Sequence, residues 1–176
     1  MTDTTNGITL RSPKADELRD WVRPALLAFG EEFGEPEFLA QAPMLEPERL
    51  INAFDGEQRI ATAGAITLRL TVPGGEVGAS GITEVGVDPG HRRRGVLRQM
   101  MIWLLDDARA RNEPVAVLWA SEAAIYQRFG FGNYETKLQN VVTTIGRQLT
   151  LHLLSGANCN TTHSANHPQK TKTKNV

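Results

Sequence analysis

The sequence predicts an α/β domain: a mixed, mostly antiparallel sheet with helices on its faces. Three observations carry this. Leu97, Met100, Met101, Leu104, Leu105 and Ala108 follow the i, i+3, i+4, i+7, i+8, i+11 series of one helical face. The segments on either side, GITEVGVDP (81–89) and VAVLWA (115–120), read as strands; the second is a nearly continuous apolar run, as expected of a strand buried on both faces. Upstream, EQRIATAGAITLRLTV lies between an Asp55-Gly56 turn and the Pro73-Gly74-Gly75 punctuation and reads as an antiparallel strand.

The elements follow in order. GITLRS (7–12) alternates well enough for a short strand. SPKADELRDWVRPALLAFGEE reads as a helix capped by Ser12, with Pro13 at its first position and Asp16 and Glu17 complementing the positive end of the dipole. Pro24 kinks or divides it, because proline has no N–H to bond back one turn. EPERLINAF (46–54) is a second, shorter helical candidate. The long helix runs from Val96 to about Asn112, and Pro114 ends it. SEAAIYQRFG then reads as a short helix capped by Ser121, and Gly130 and Gly132 bracket Phe131 before a strand at NYET.

A chain of 176 residues has room for one domain with its own core. Hydrophobic content of 40% and charged content of 22% are those of an ordinary globular protein. The first residues lack a basic segment followed by an apolar run, and no apolar stretch approaches a membrane span; a cytoplasmic protein without membrane attachment is expected. One cysteine, Cys159, excludes an intrachain disulfide.

The net charge of −1 hides a division. Residues 1–135 hold all 20 acidic residues and 14 of the 19 Lys and Arg, a net of −6; residues 136–176 carry five basic residues and no acid. The expected organisation is a globular domain at 1–135 and an atypical basic tail at 136–176, partly disordered at its polar end NCNTTHSANHPQKTKTKNV. VVTTIGRQLTLHLL before that end has the composition for one more strand or helix. The abrupt change in composition suggests a frame change or truncated gene, which the neighbouring DNA would settle.

The chemistry concentrates in GVDPGHRRRGVLRQ (86–99). Arg92, Arg93 and Arg94 read as a solvated helix start, a nucleic-acid patch or an anion loop. Nucleic acid is disfavoured by the acidic surroundings and by the lack of an accompanying set of aromatics for stacking. A strand, a sharp turn and a helix start form an anion site, because the first amides of the helix are unpaired and its dipole is positive there. Gly95 lets the backbone approach a phosphate.

Arg92-Arg93-Arg94-Gly95-Val96-Leu97 resembles the R-x-x-G-x-[GA] acyl-CoA loop of the GNAT N-acetyltransferases, with Leu97 in place of the usual small residue. That departure, with EVGVDPGHRRRGVL and VAVLWASEAAIYQRFGFG, is similar to the enhanced-intracellular-survival (Eis) branch; the likeness is strong from about 82 to 132. It implies the GNAT fold, with a splay between the two central strands. It also implies acetyl-CoA as co-substrate, no metal, and direct transfer to a primary amine, an aminoglycoside or a lysine-like group.

By the same resemblance, Val85, Gly86 and Val87 pair through their backbone with the pantetheine arm. Arg93, Arg94, Gly95, Val96, Leu97 and Arg98 hold the pyrophosphate, and Ser121 and Glu122 lie near the acetyl end. Tyr126 matches the tyrosine that protonates the departing thiolate; a phenol, with a reference pKa of about 10, keeps its proton at neutral pH.

Other candidates rest on weaker patterns. Alternation places Glu84, a carboxylate on the strand used as base by some family members, on the face opposite Thr83, Val85 and Val87. Glu31, Glu32 and Glu35 read as an exposed acidic loop able to draw in a cationic amine. His91 reads as a turn residue, and Cys159, His163 and His167 imitate a metal site in spacing without a fourth ligand. Members of the branch are much longer, and their terminal carboxylate serves as base. The alternative reading is therefore a truncated, catalytically impaired acetyl-CoA-binding remnant. A homo-oligomer is left open, since the larger relatives assemble through later domains.

Overall fold

The computed structural model describes residues 3–5, 7–30, 34–133 and 148–153. Among the described residues, eight strands form one sheet: β1 (Asp3–Thr5), β2 (Ile8–Arg11), β3 (Leu50–Asp55), β4 (Gln58–Val72), β5 (Gly75–Val87), β6 (Val115–Ala120), β7 (Gly132–Asn133) and β8 (Gln148–Leu153). Their spatial order is β1-β2-β3-β4-β5-β6-β8-β7, and every pair is antiparallel except β5–β6. The parallel pair is joined through α4 (Val96–Ala110), the long crossover such a pair requires.

α4 is the helix expected from the periodicity: Val96, Met100, Met101, Leu104, Leu105 and Ala108 are all buried. They pack with Ile51, Ala53, Ile82, Ala116, Leu118 and Ala120 into the main core. Leu50, the neighbour of Ile51, points the opposite way, against Trp21, Val22 and Ala25. Two helices, α1 (Leu18–Trp21) and α2 (Arg23–Phe29), thus cover the other face.

The proline division falls where expected, with Pro24 opening α2. The start differs: Lys14 is extended (φ −76°, ψ 166°), so the first turn is a 3-10 segment at Ala15–Glu17, and Ser12 does not cap it. The Glu17 carboxylate accepts from the Lys14 N–H instead, at 2.8 Å.

EPERLINAF is a correction. Only Pro47–Arg49 turns, and Leu50–Asp55 is the strand β3, whose first five residues are all buried. Sandwiched between helices on both faces, β3 has no polar alternation to distinguish it from a helix. SEAAIYQRFG forms two 3-10 turns, Ala123–Ile125 and Gln127–Phe129, and Ser121 makes no cap; Gly130, at φ +87°, stops the second turn. Glu35 belongs to a third helix, α3 (Glu35–Gln41), rather than to a loop; Glu31 and Glu32 lie outside the described residues. β1 has no counterpart in the sequence reading, and β5 begins six residues before the expected 81.

β8 lies within the segment after residue 135 and takes the place beside β6. Most of that segment, with Cys159, His163 and His167, lies outside the described residues. Among the described residues, no helix is long and apolar enough to cross a membrane.

Candidate active site

β5 and β6 pair in parallel from Ala79↔Val115 to Ile82↔Leu118, and the pairing stops there. Beyond it β5 runs five residues further to Val87, still held by β4. Among the described residues, β6 no longer pairs with that edge of β5, and a cleft of about 310 Å³ lies at the divergence.

A bulge shapes the divergence. On β4, Thr62 pairs with Gly86 and Gly64 with Thr83, so Glu84 and Val85 together oppose Ala63. Glu84 takes φ +51°, a left-handed conformation that costs a non-glycine residue about 1–2 kcal/mol. The extra residue resets the alternation: Val85 and Val87 pack against the main core with Ile82, whereas Thr83 pairs with Gly64, whose side-chain position faces Trp21 and Leu50 on the opposite face. The expected grouping of Thr83 with Val85 and Val87 is therefore wrong, because it assumed an unbroken strand. Glu84 lines the cleft.

The bulge is anchored from the helical face. The Trp21 indole N–H donates to the carbonyls of Ile51 (3.2 Å) and Ala63 (3.3 Å), and the Asn52 amide donates to Trp21 and Ala61. Gly86 lies directly under α2: a Cβ there would stand 2.4 Å from Cα of Ala25. No side chain fits that approach.

Past β5, the turn over 88–95 carries the arginines. Asp88 accepts from the Gly90 N–H at 2.8 Å; that bond first, and the His91 ring second, hold its carboxyl below the usual carboxylate range. Arg93 (φ +64°) and Gly95 (φ +81°) are both left-handed, and Gly95 is the residue from which α4 starts, with no side chain capping it. Val96 is buried and Leu97 packs against the core, so these two can offer an anion only their N–H groups. Arg92, Arg93 and Arg98 are exposed, and Arg94 reaches Asp55 at 2.7 Å.

Tyr126 and Ser121 line the cleft together with Val85; Glu122 is exposed beside it. Tyr126 is 93% buried, edge-on to Phe131 with ring centroids 6.0 Å apart. Burial first, and the Glu122 charge second, push its phenol up to about 12. It keeps its proton at any physiological pH.

Sequence reasoning missed the cleft's apolar walls, Phe29 and Trp119. Trp119 was hidden in an apolar run, yet it is 62% exposed on the side of β6 away from α4. It also missed Arg49, fully buried and bound to both carboxylate oxygens of Glu113, to Asp107, and to the hydroxyls of Thr67 and Ser80. No described group of His, Cys, Asp and Glu is arranged to hold a metal.

The family model of the acetyltransferase (GNAT) domain matches residues 9–134. An uncharacterized N-acetyltransferase of Streptomyces avermitilis is 48% identical over 126 residues, covering 70% of this chain and 31% of that protein. The N-acetyltransferase Eis of Mycobacterium tuberculosis is 38% identical over 133 residues, covering 71% and 32%. Among solved structures, Eis1 from Mycobacterium abscessus superposes with a TM-score of 0.62 at 35% identity, covering 71% of this chain and 31% of that one. Ard1 from Thermoplasma volcanium, at 17% identity, shares the fold over 84% of this chain and 98% of its own, with a TM-score of 0.67. The chain spans about a third of the length of the curated relatives it matches. With the splayed parallel pair, the bulge and the left-handed arginine turn in one domain, the chain belongs to the GNAT acetyltransferase family.

Proposed function

We propose that this domain transfers an acetyl group from acetyl-CoA directly to a primary amine, an aminoglycoside or a lysine-like group, as the sequence resemblance implies. The observation that carries the reading is the divergence of β5 from β6, with Tyr126 lining the resulting cleft.

The open edge of β5 at Val85, Gly86 and Val87 receives the pantetheine arm as an added strand, in the manner of backbone pairing at any free sheet edge. The amides of Gly95, Val96 and Leu97, with the arginines of the turn, receive the pyrophosphate. The thioester then points into the cleft between Ser121 and Tyr126.

The amine lone pair attacks the thioester carbonyl carbon and forms a tetrahedral intermediate. Collapse of this intermediate breaks the C–S bond. The nitrogen gives up a proton to solvent, the Tyr126 O–H donates one to the departing sulfur, and solvent returns a proton to the tyrosinate. Buried and raised to about 12, that phenol holds its proton at neutral pH and has it available to hydrogen-bond to, and protonate, the departing sulfur.

Incubation with acetyl-CoA and a panel of aminoglycosides, lysine peptides and simple amines tests the reading through free thiol release. Amine-dependent release supports it. Tight acetyl-CoA binding with no release for any amine assigns the domain to cofactor binding alone.

A further inference from the structure

Among the described residues, Arg94 is the one arginine of the 92–98 turn with an ion-pair partner. Its Nη1 lies 2.7 Å from Oδ2 of Asp55, the last residue of β3. The His91 Nε2 stands 3.6 Å from the same oxygen, and the His91 Nδ1 is 3.3 Å from Oδ1 of Asp88. Asp88 in turn donates its backbone N–H to the carbonyl of Ile60 on β4, at 2.8 Å. The turn is thus tied to the β3–β4 hairpin at two points. One of them is the side chain lying between the left-handed residues Arg93 and Gly95.

We propose that Asp55 is a positioning residue for the anion turn: it holds Arg94 as a strut, leaving the turn's amides with Arg93 and Arg98 to meet the phosphates. This rests on the acetyl-CoA reading above and changes the role of one residue within it. The physical need is plain. A non-glycine residue at φ +64° is held in a disfavoured conformation, and it persists where its surroundings over-determine it. The Asp55–Arg94 pair supplies that constraint from a neighbouring strand. With side-chain exposures of 37% and 44%, the pair contributes little to global stability, so its effect falls on the turn.

The alternative, that Arg94 is itself a phosphate ligand restrained by Asp55, predicts the opposite sign. Removing the Asp55 charge releases Arg94 and also removes a negative charge beside an anion site; both effects tighten acetyl-CoA. Under the strut, the same change weakens it.

Calorimetric titration of acetyl-CoA decides between them, using wild type, Asp55→Asn, Arg94→Gln, the double variant and Arg94→Lys, each checked for an unchanged melting transition. The strut predicts that Asp55→Asn and Arg94→Gln each weaken binding by about fivefold, that the double variant is no weaker than either, and that Arg94→Lys restores most of the affinity. Asp55→Asn that binds as tightly as wild type or tighter overturns the strut alone, as do losses that multiply in the double variant. Failure of wild type to bind acetyl-CoA overturns the strut and the acetyl-CoA reading together.

Discussion

The two ends of the β5–β6 pair are held in opposite ways. At the closed end, the buried Arg49 guanidinium meets Glu113, which precedes β6, and Asp107 near the end of α4, with Thr67 and Ser80 satisfying its remaining donors. At the open end, the strands part after Ile82 and Leu118; a backbone bulge, a glycine under α2 and a half-exposed ion pair take over. Side chains close one end, and backbone conformation opens the other. A cofactor that pairs as a strand needs this asymmetry, since a fully zipped sheet has no edge to offer and an untethered one does not keep its edges in register.

The largest expected effect lies at the closed end. Arg49→Met leaves Glu113 without its counter-charge in a dry site, while Asp107 keeps Arg111, and loss of one partner from such a buried pair costs about 3–5 kcal/mol. Urea denaturation should show this. Glu113→Gln added to the same variant should recover part of it, because one uncompensated charge is then gone. An Arg49→Met protein as stable as wild type would break the comparison.

Tyr126→Phe comes next, at the open end. Loss of the proton donor should slow acetyl transfer by about 10²-fold with acetyl-CoA affinity unchanged. The folded-state pKa of about 12 lies above the reference value of 10.0, so this group's contribution to stability is full below pH 10 and lost as the pH rises toward 12. Tyr126→Phe should flatten that alkaline limb of the unfolding curve. It should also leave no tyrosine ionisation in the rate profile below pH 10 to remove.

Gly86→Ala tests whether backbone shape opens the sheet. The new methyl would stand 2.4 Å from the Ala25 backbone, which belongs to a helix and has no rotamer to yield. A cost of about 1–3 kcal/mol is expected, with weakened acetyl-CoA binding as β5 or α2 shifts. Unchanged affinity and stability would show that the approach is looser than the geometry says.

What the sequence made legible follows the same division. α4 and β6 were readable because each repeats one pattern over its length, and the arginine turn because its residues are contiguous. β3 was misread because burial on both faces removes alternation from LINAF. The grouping of Thr83 with Val85 failed at the bulge, a matter of register between two strands that neither strand records alone. Arg49 and Asp55 were invisible for a related reason: their partners lie 18 or more positions away, at Thr67, Ser80, Asp107, Glu113 and Arg94, and come together only once the sheet forms. Tyr126 was found through resemblance; the composition of IYQRFG would have assigned it only to packing.

The smallest effect isolates burial as the cause of the contrast. Arg11 and Glu17 make the same two-pronged contact as Arg49 and Glu113, at 2.6 and 2.7 Å against 2.6 and 2.8 Å. Their side chains are 27% and 23% exposed rather than 0% and 6%. The Arg11 hydrogen bonds first, and the Lys14 N–H second, hold Glu17 at about 2. The pair's contribution is therefore present above pH 4.5 and lost as the pH falls through 2. Water screens it at this exposure, so Glu17→Gln should cost under about 1 kcal/mol at pH 7, and the difference from wild type should vanish near pH 2. A loss as large as that of Arg49→Met would mean that contact geometry, and not exclusion from water, sets the strength of both pairs.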